Sequence, residues 1–592
     1  MNTRTKTGLE ILQVAVIIGL LGDVLLRQTP WGMNVLLFNL AFAGGVLMLL
    51  RRHAPERLTG TTFALLGALV FFASMFVWRD AIELRVADTF AIIVILGVLF
   101  LPTLKITARI AGVFQYAIGV VWAGVNSVFA PAALFGVDIR WNEISTTGWR
   151  RTAMAVVRGV LIALPLLFIF GALFVAADAV YEGWIKSVFN IDFELAFGHL
   201  ALFGIFAWLS AGYFRGILFA GTPAPQAETR AVASVPFPDS GAKHGEQKVE
   251  TPMSRVRNDS GEHPVTLPND ATVLEHINIS DPPATEAVAS VPRADIKTSF
   301  PTNDKKSTWS WADINNSVIP GFTLGPVEVG VILGLVNLLF LSFVIFQLPY
   351  LFGGMELVQN TPDFKLAEYA RRGFGELVAV AALVLPMLLV GHWLLKKDKP
   401  AALNLFRILA GVQIALLFVI MASAMQRLVL LTGPLGYGMT TVRLYPMIFM
   451  TWLAIVFVLF AATVLRNARQ HFAWAALWSA FFILGATHVL NPDAFIVRTN
   501  LALMQQGRDF DAQYNANDLG ADAIPELIIS FESFSEEDAQ AVVKGLQRKV
   551  CWLEGYDDLR SFNFGRQAAV ESLNSVGLLT TSKEGCPTEI HD

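Results

Sequence analysis

Paired arginines beside a carboxylate at the mouth of a hydrophobic helix could hold an anion, and this sequence has such a group at Glu368, Arg371, Arg372 and Glu376. On a helix, Glu368, Arg372 and Glu376 are spaced i, i+4, i+8 and share one face, so the two acids neutralise the arginine between them. Arg371 projects roughly 100° away. With Arg427 and Arg443, which flank a loop at 432–441, it makes a surplus of positive charge close to hydrocarbon, where charge is costly and marks a functional site. A guanidinium offers paired donors in a planar fork that suits phosphate or carboxylate, so the expected ligand is an anionic lipid headgroup or another phosphorylated small molecule. The candidate binding set is Arg371, Arg372, Glu376, Arg427, Arg443 and Asp493. Taken singly, each arginine also fits a side chain that snorkels to the membrane interface. Glu376 and Asp493 are the carboxylates that an outer-face transferase or hydrolase would use as its base. His488, five residues before Asp493, is poorly spaced for a metal pair and reads as a hydrogen-bonded structural histidine.

These residues need a scaffold that carries them to a membrane surface, and the composition supplies one. Of 592 residues, 54% are hydrophobic and only 16% charged, with a mean hydropathy of +0.54; this composition belongs to a polytopic membrane protein. Apolar stretches of about 20 residues, enough to span hydrocarbon, occur near 9–26, 31–50, 61–77, 86–104, 153–176, 196–219, 327–346, 374–395, 403–425, 442–465 and 472–490. The expected fold is all-α, a helical membrane protein of about eleven transmembrane helices with a small soluble helical C-terminal region. The segment at 110–135 is apolar but broken by Gly112, Gly119, Gly124, Asn126 and Pro131, and reads as an interfacial or re-entrant element. On that reading the basic residues that flank the spans, Arg4, Lys6, Arg51, Arg52, Lys105, Arg150, Arg215, Lys396, Arg407 and Arg466 among them, fall on one side, which the positive-inside rule makes the cytoplasm.

Four regions follow. Residues 1–220 form an N-terminal membrane half of six spans plus the 110–135 element. Residues 221–320 are rich in Pro, Ser and Thr, nearly devoid of aromatics, and read as a disordered linker. Residues 321–490 form a C-terminal membrane half of five spans. The acidic region at 491–592 then lies outside the cytoplasm, with amphipathic helices expected at 519–531, 536–553 and 567–579 and Ser535 capping the middle one. There Cys551 and Cys586 could pair as a disulfide or stand as two unrelated thiols. No P-loop, HExxH or GxSxG in context is present, so a primary pump or familiar metalloprotease is not expected, nor is a metal, a cofactor or a nucleic-acid partner. Membrane lipids are the expected partners; no protein partner is specified.

Three motifs go together: Tyr350-Leu351-Phe352-Gly353-Gly354, Glu368-Tyr369-Ala370-Arg371-Arg372-Gly373-Phe374, and Gly438-Met439-Thr440-Thr441-Val442-Arg443, followed by Asn491-Pro492-Asp493 and Leu519-Gly520-Ala521-Asp522. They resemble the bacterial multi-pass membrane proteins grouped as domain of unknown function 4173 and the related 4153. The likeness covers about 320–530 closely and the first half loosely. It departs at Met439, where the family has Leu, and at Val442 before the arginine. The resemblance implies a bacterial inner-membrane location and a helical fold, and no particular activity. An anion-binding or transporting membrane protein is the leading expectation, beside an outer-face transferase or hydrolase and a non-catalytic signalling or scaffold protein.

Overall fold

The structure, a computed structural model, describes residues 2–27, 30–141, 193–219, 326–352, 374–395, 400–433, 437–553 and 558–578. Eleven of its helices are long and apolar enough to cross a membrane: α1 (Thr3–Leu26), α2 (Met33–His53), α3 (Gly60–Trp78), α4 (Ile82–Phe100), α5 (Val113–Ala133), α6 (Phe193–Phe219), α7 (Pro326–Phe352), α8 (Phe374–Leu394), α9 (Pro400–Thr432), α10 (Thr441–Thr463) and α11 (Phe472–Leu490). The chain is thus an all-helical multi-span membrane protein. The set differs from the expected eleven in one member, since α5 is among them and the stretch at 153–176 lies outside the described residues. So does the 221–320 linker. Large apolar side chains such as Ile17, Phe90, Phe129, Leu383 and Phe482 are exposed on these helices, as suits surfaces that hydrocarbon covers.

The helices start and stop for local reasons. Thr59 accepts the N–H of Thr62 at 3.3 Å and caps α3. α11 stops where Asn491 turns left-handed at φ 55°, and Pro492, which has no N–H to extend the ladder, begins α12 (Pro492–Gln505). The glycines of 110–135 do not break α5, and Gly119 brings its backbone against that of α4. A Cβ on Gly97 would lie 2.6 Å from Val120 Cα, and one on Gly119 would lie 2.6 Å from the Gly97 carbonyl. Before α5, Arg109 reaches Thr61 at the start of α3 (2.9 Å). After it, Asp138, its side chain fully buried, accepts Arg4 from the start of α1 (2.7 Å) and Arg215 from the end of α6 (2.5 Å).

Three hydrophobic clusters hold the molecule. One joins α1–α6 with Ala473, Leu477 and Phe481 of α11. A second joins α7–α10. α11 follows the second group in sequence and bridges the two, with Phe472 edge-on to Phe460 at 5.7 Å in the second and Phe481 edge-on to Phe72 at 5.1 Å in the first. The third cluster is a cap built from α12, α13 (Ala512–Asn517), α14 (Ile524–Ile529), α15 (Glu536–Leu553) and α16 (Phe564–Ser575). In α15, Val542, Leu546, Val550 and Leu553 turn inward at helical spacing, and Ser535 caps it by accepting the N–H of Asp538 at 3.1 Å. The expected helix at 519–531 is shorter, because Pro525 restarts the chain after a tight turn at Ala521–Ala523.

Candidate functional site

The cap sits on the ends of the first helices and satisfies the backbone groups those ends leave open. Asn563 caps α16 by accepting the N–H of Arg566 (3.0 Å), and its amide donates to the carbonyls of Phe76 (2.8 Å) and Arg79 (2.9 Å) where α3 ends. Met33, in the first turn of α2, donates its N–H to Phe562 (3.0 Å). Arg560 donates to the carbonyl of Val24 near the end of α1 (2.6 Å), and Arg566 donates to that of Trp31 (3.2 Å).

Two buried aspartates form the centre. The N–H of Asp80 donates to Asp522 (2.6 Å), while the N–H of Ala521 donates to Asp80 (3.4 Å), so loop and cap exchange backbone donors for carboxylates. Asp80 also accepts Arg85 and, at 3.3 Å, Arg566; Asp522 accepts Arg79 at 3.4 Å. Arg79 lies over the Trp78 ring at 4.7 Å and donates to the carbonyl of His488 (2.9 Å), closing the end of α11 as well. Burial of this kind is tolerable only because each charge has partners.

Asp493, in the first turn of α12, adjoins the clasp. It is 1% exposed and accepts the N–H of Gly520 at 2.8 Å. Burial, then the nearby charge of Asp522, push its carboxyl up to about 7. Burial also raises Asp522 and brings the Lys549 ammonium down to about 8, where it donates to the Leu519 carbonyl. Beneath the clasp, His488 Nε2 meets Asp88 Oδ1 at 3.0 Å, with both side chains buried. The histidine does have a structural partner, but on α4.

The expected anion-binding residues are distributed as follows. Asp493 is buried at the cap interface. Arg443, at the start of α10, donates to the carbonyls of Tyr437 (2.7 Å) and Gly438, so part of its fork closes the turn before it. Gly438 holds φ at +69° there, and Asn500 clamps Met439 by accepting its N–H (2.6 Å) and donating to its carbonyl (3.0 Å). Arg427 is buried near the end of α9. Glu376 lies in the first turn of α8; Arg371, Arg372 and Cys586 lie outside the described residues, and Cys551 is in the last turn of α15. Sequence reasoning missed Asp80, Asp88, Asp522, Asn563 and Arg566. Asp88 carried a signal, a lone carboxylate inside an apolar stretch; the others find partners more than 400 residues away, which no spacing reveals.

Residues 66–238 and 293–529 match the model of a family described as domain of unknown function (DUF4153), the second of the two groups that the motifs suggest. The chain matches no curated protein and no solved structure.

Proposed function

The chain belongs to the DUF4153 family, and on that footing we propose that this multi-span membrane protein binds the phosphate of an anionic lipid headgroup, or of another phosphorylated small molecule, at the end of its helices where the cap sits. One observation carries the reading: from residue 399 to 492 the chain contains no Asp or Glu, while Arg427 and Arg443 stand at the cap end of α9 and α10. The turn between them touches the cap through Tyr514, whose hydroxyl accepts the N–H of Thr441 at 2.8 Å. Arg371, which precedes α8 in sequence, completes the set in this proposal.

The same reading gives the chain an orientation, with the N-terminus in the cytoplasm and the cap outside. It treats α5 as lying across the first helices near their cytoplasmic ends, although the helix is long enough to cross. The support is that Arg109 before α5 and Asp138 after it are both tied to residues at the end where α1 and α3 begin.

The experiment is thermal unfolding of the purified chain in nanodiscs of phosphatidylcholine with and without phosphatidylglycerol, and with added inorganic phosphate. Stabilisation by the anionic lipid that Arg427→Gln removes supports the proposal, and stabilisation by phosphate alone points to a soluble ligand. No response, or an undiminished one in Arg427→Gln, overturns it.

A further inference from the structure

Asp88 sits in the second turn of α4 and His488 in the last turn of α11. Their side chains are 1% and 0% exposed, and one hydrogen bond of 3.0 Å joins Nε2 to Oδ1. The other two polar atoms of the pair, His488 Nδ1 and Asp88 Oδ2, have no hydrogen-bond partner among the described residues. A neutral imidazole beside an ionised carboxylate leaves a net negative charge buried in a medium that stabilises it poorly. One further proton makes the pair neutral as a whole, either as imidazolium with carboxylate or as imidazole with carboxylic acid, and the two forms share a single titration.

The charged neighbours do not supply a substitute. From the junction of α3 and α4 comes Arg79, which donates to the His488 carbonyl and is balanced by Asp522. On α4 itself are Glu83 and Arg85, the latter bound to Asp80. From α10 come Arg443, engaged with the turn before it, and the uncharged Tyr445; from α12 come Asp493, an acid, and Arg498, which faces Glu526 at 3.7 Å. α5 has no charged residue.

We propose that His488 and Asp88 form a proton-binding site of this membrane protein, taking one proton from the medium and returning it through the unpartnered Nδ1 and Oδ2. Buried ionisable groups in membrane helices serve in this way where protons are relayed, and histidine is the side chain suited to release near neutral pH. The site is separate from the arginines proposed to hold an anion, so either proposal can fail alone.

The test is NMR of the full chain in nanodiscs with labelled histidine, His488 being identified as the resonance absent from His488→Gln. The expected result is a His488 signal that titrates between about pH 5 and about pH 8. In Asp88→Asn its midpoint should move to at least about tenfold higher proton concentration, because the carboxylate that favours the bound proton is gone. A His488 signal that stays constant over that range, or one that titrates identically in Asp88→Asn, overturns the proposal and leaves a structural hydrogen bond. If Asp88→Asn does not fold, the wild-type titration decides alone.

Discussion

Asp80, in the loop between α3 and α4, takes donors from Arg85 of α4, from the turn at Ala521 and from the buried Arg566, so removing its carboxylate takes the acid from two guanidinium groups at once. Asp80→Ala should therefore cost about 3–5 kcal/mol of stability, read as a lower Tm and as cleavage of the cap at lower protease concentration. Two of the shifted groups nearby, Asp493 and Lys549, give the molecule a pH signature. Asp493 is raised from 3.8 to about 7, so between those values the folded chain holds more protons than the unfolded one. Its contribution to stability is complete below that range and falls as pH rises through it. Lys549 is lowered from 10.5 to about 8; there the unfolded chain holds more protons, and stability rises with pH. We expect a minimum of Tm between these two ranges, with Asp493→Asn making the acid limb shallower, since the raised Asp522 also contributes to it, and leaving the alkaline limb. Asp493 stood out in the sequence as a carboxylate just past the last apolar span. Its neighbours did not, since Asp80 and Asp522 are 442 positions apart.

Among the elements, the close approach of α4 and α5 is the least tolerant of change. At Gly97 a side chain would press on Val120, on its backbone as well as its Cγ2 methyl, so Gly97→Leu should destabilise the first helix group by about 1–3 kcal/mol or more, visible as a lowered Tm. Gly67, where a Cβ would meet nothing within 4 Å, should accept Ala with no comparable loss. The spans themselves could be read from the sequence, because twenty apolar residues admit few alternatives. So could α15, whose inward positions recur at helical spacing. Which spans pack together could not, as apolar faces of similar composition do not name their neighbours; α11 joins the first group through Phe481 and His488 although it follows the second. The broken pattern of 110–135 was read for its interruptions, whereas in the fold its Gly119 serves close packing within one continuous helix.

For the whole molecule, the side of the membrane on which the cap lies follows from the proposed orientation. A membrane-impermeant thiol reagent applied to intact cells should label Cys551 or Cys586, directly or only after reduction if the two are bonded. Labelling confined to lysed cells would place the cap inside and turn the arginines of α9 and α10 toward nucleotides and soluble anions. The seat of the cap also bears on biosynthesis. Residues 558–566 leave the ribosome several hundred residues after α1, α2 and α3, yet they fasten the ends of those helices. The order of synthesis and the order of closure are therefore opposed. Until that segment has been made and delivered to the correct side, Asp80 lacks Arg566 and the carbonyls of Val24 and Phe76 await their partners, so a chain stopped short of Asn563 is inserted but unlatched, and quality-control proteases should distinguish it from the full chain at that end.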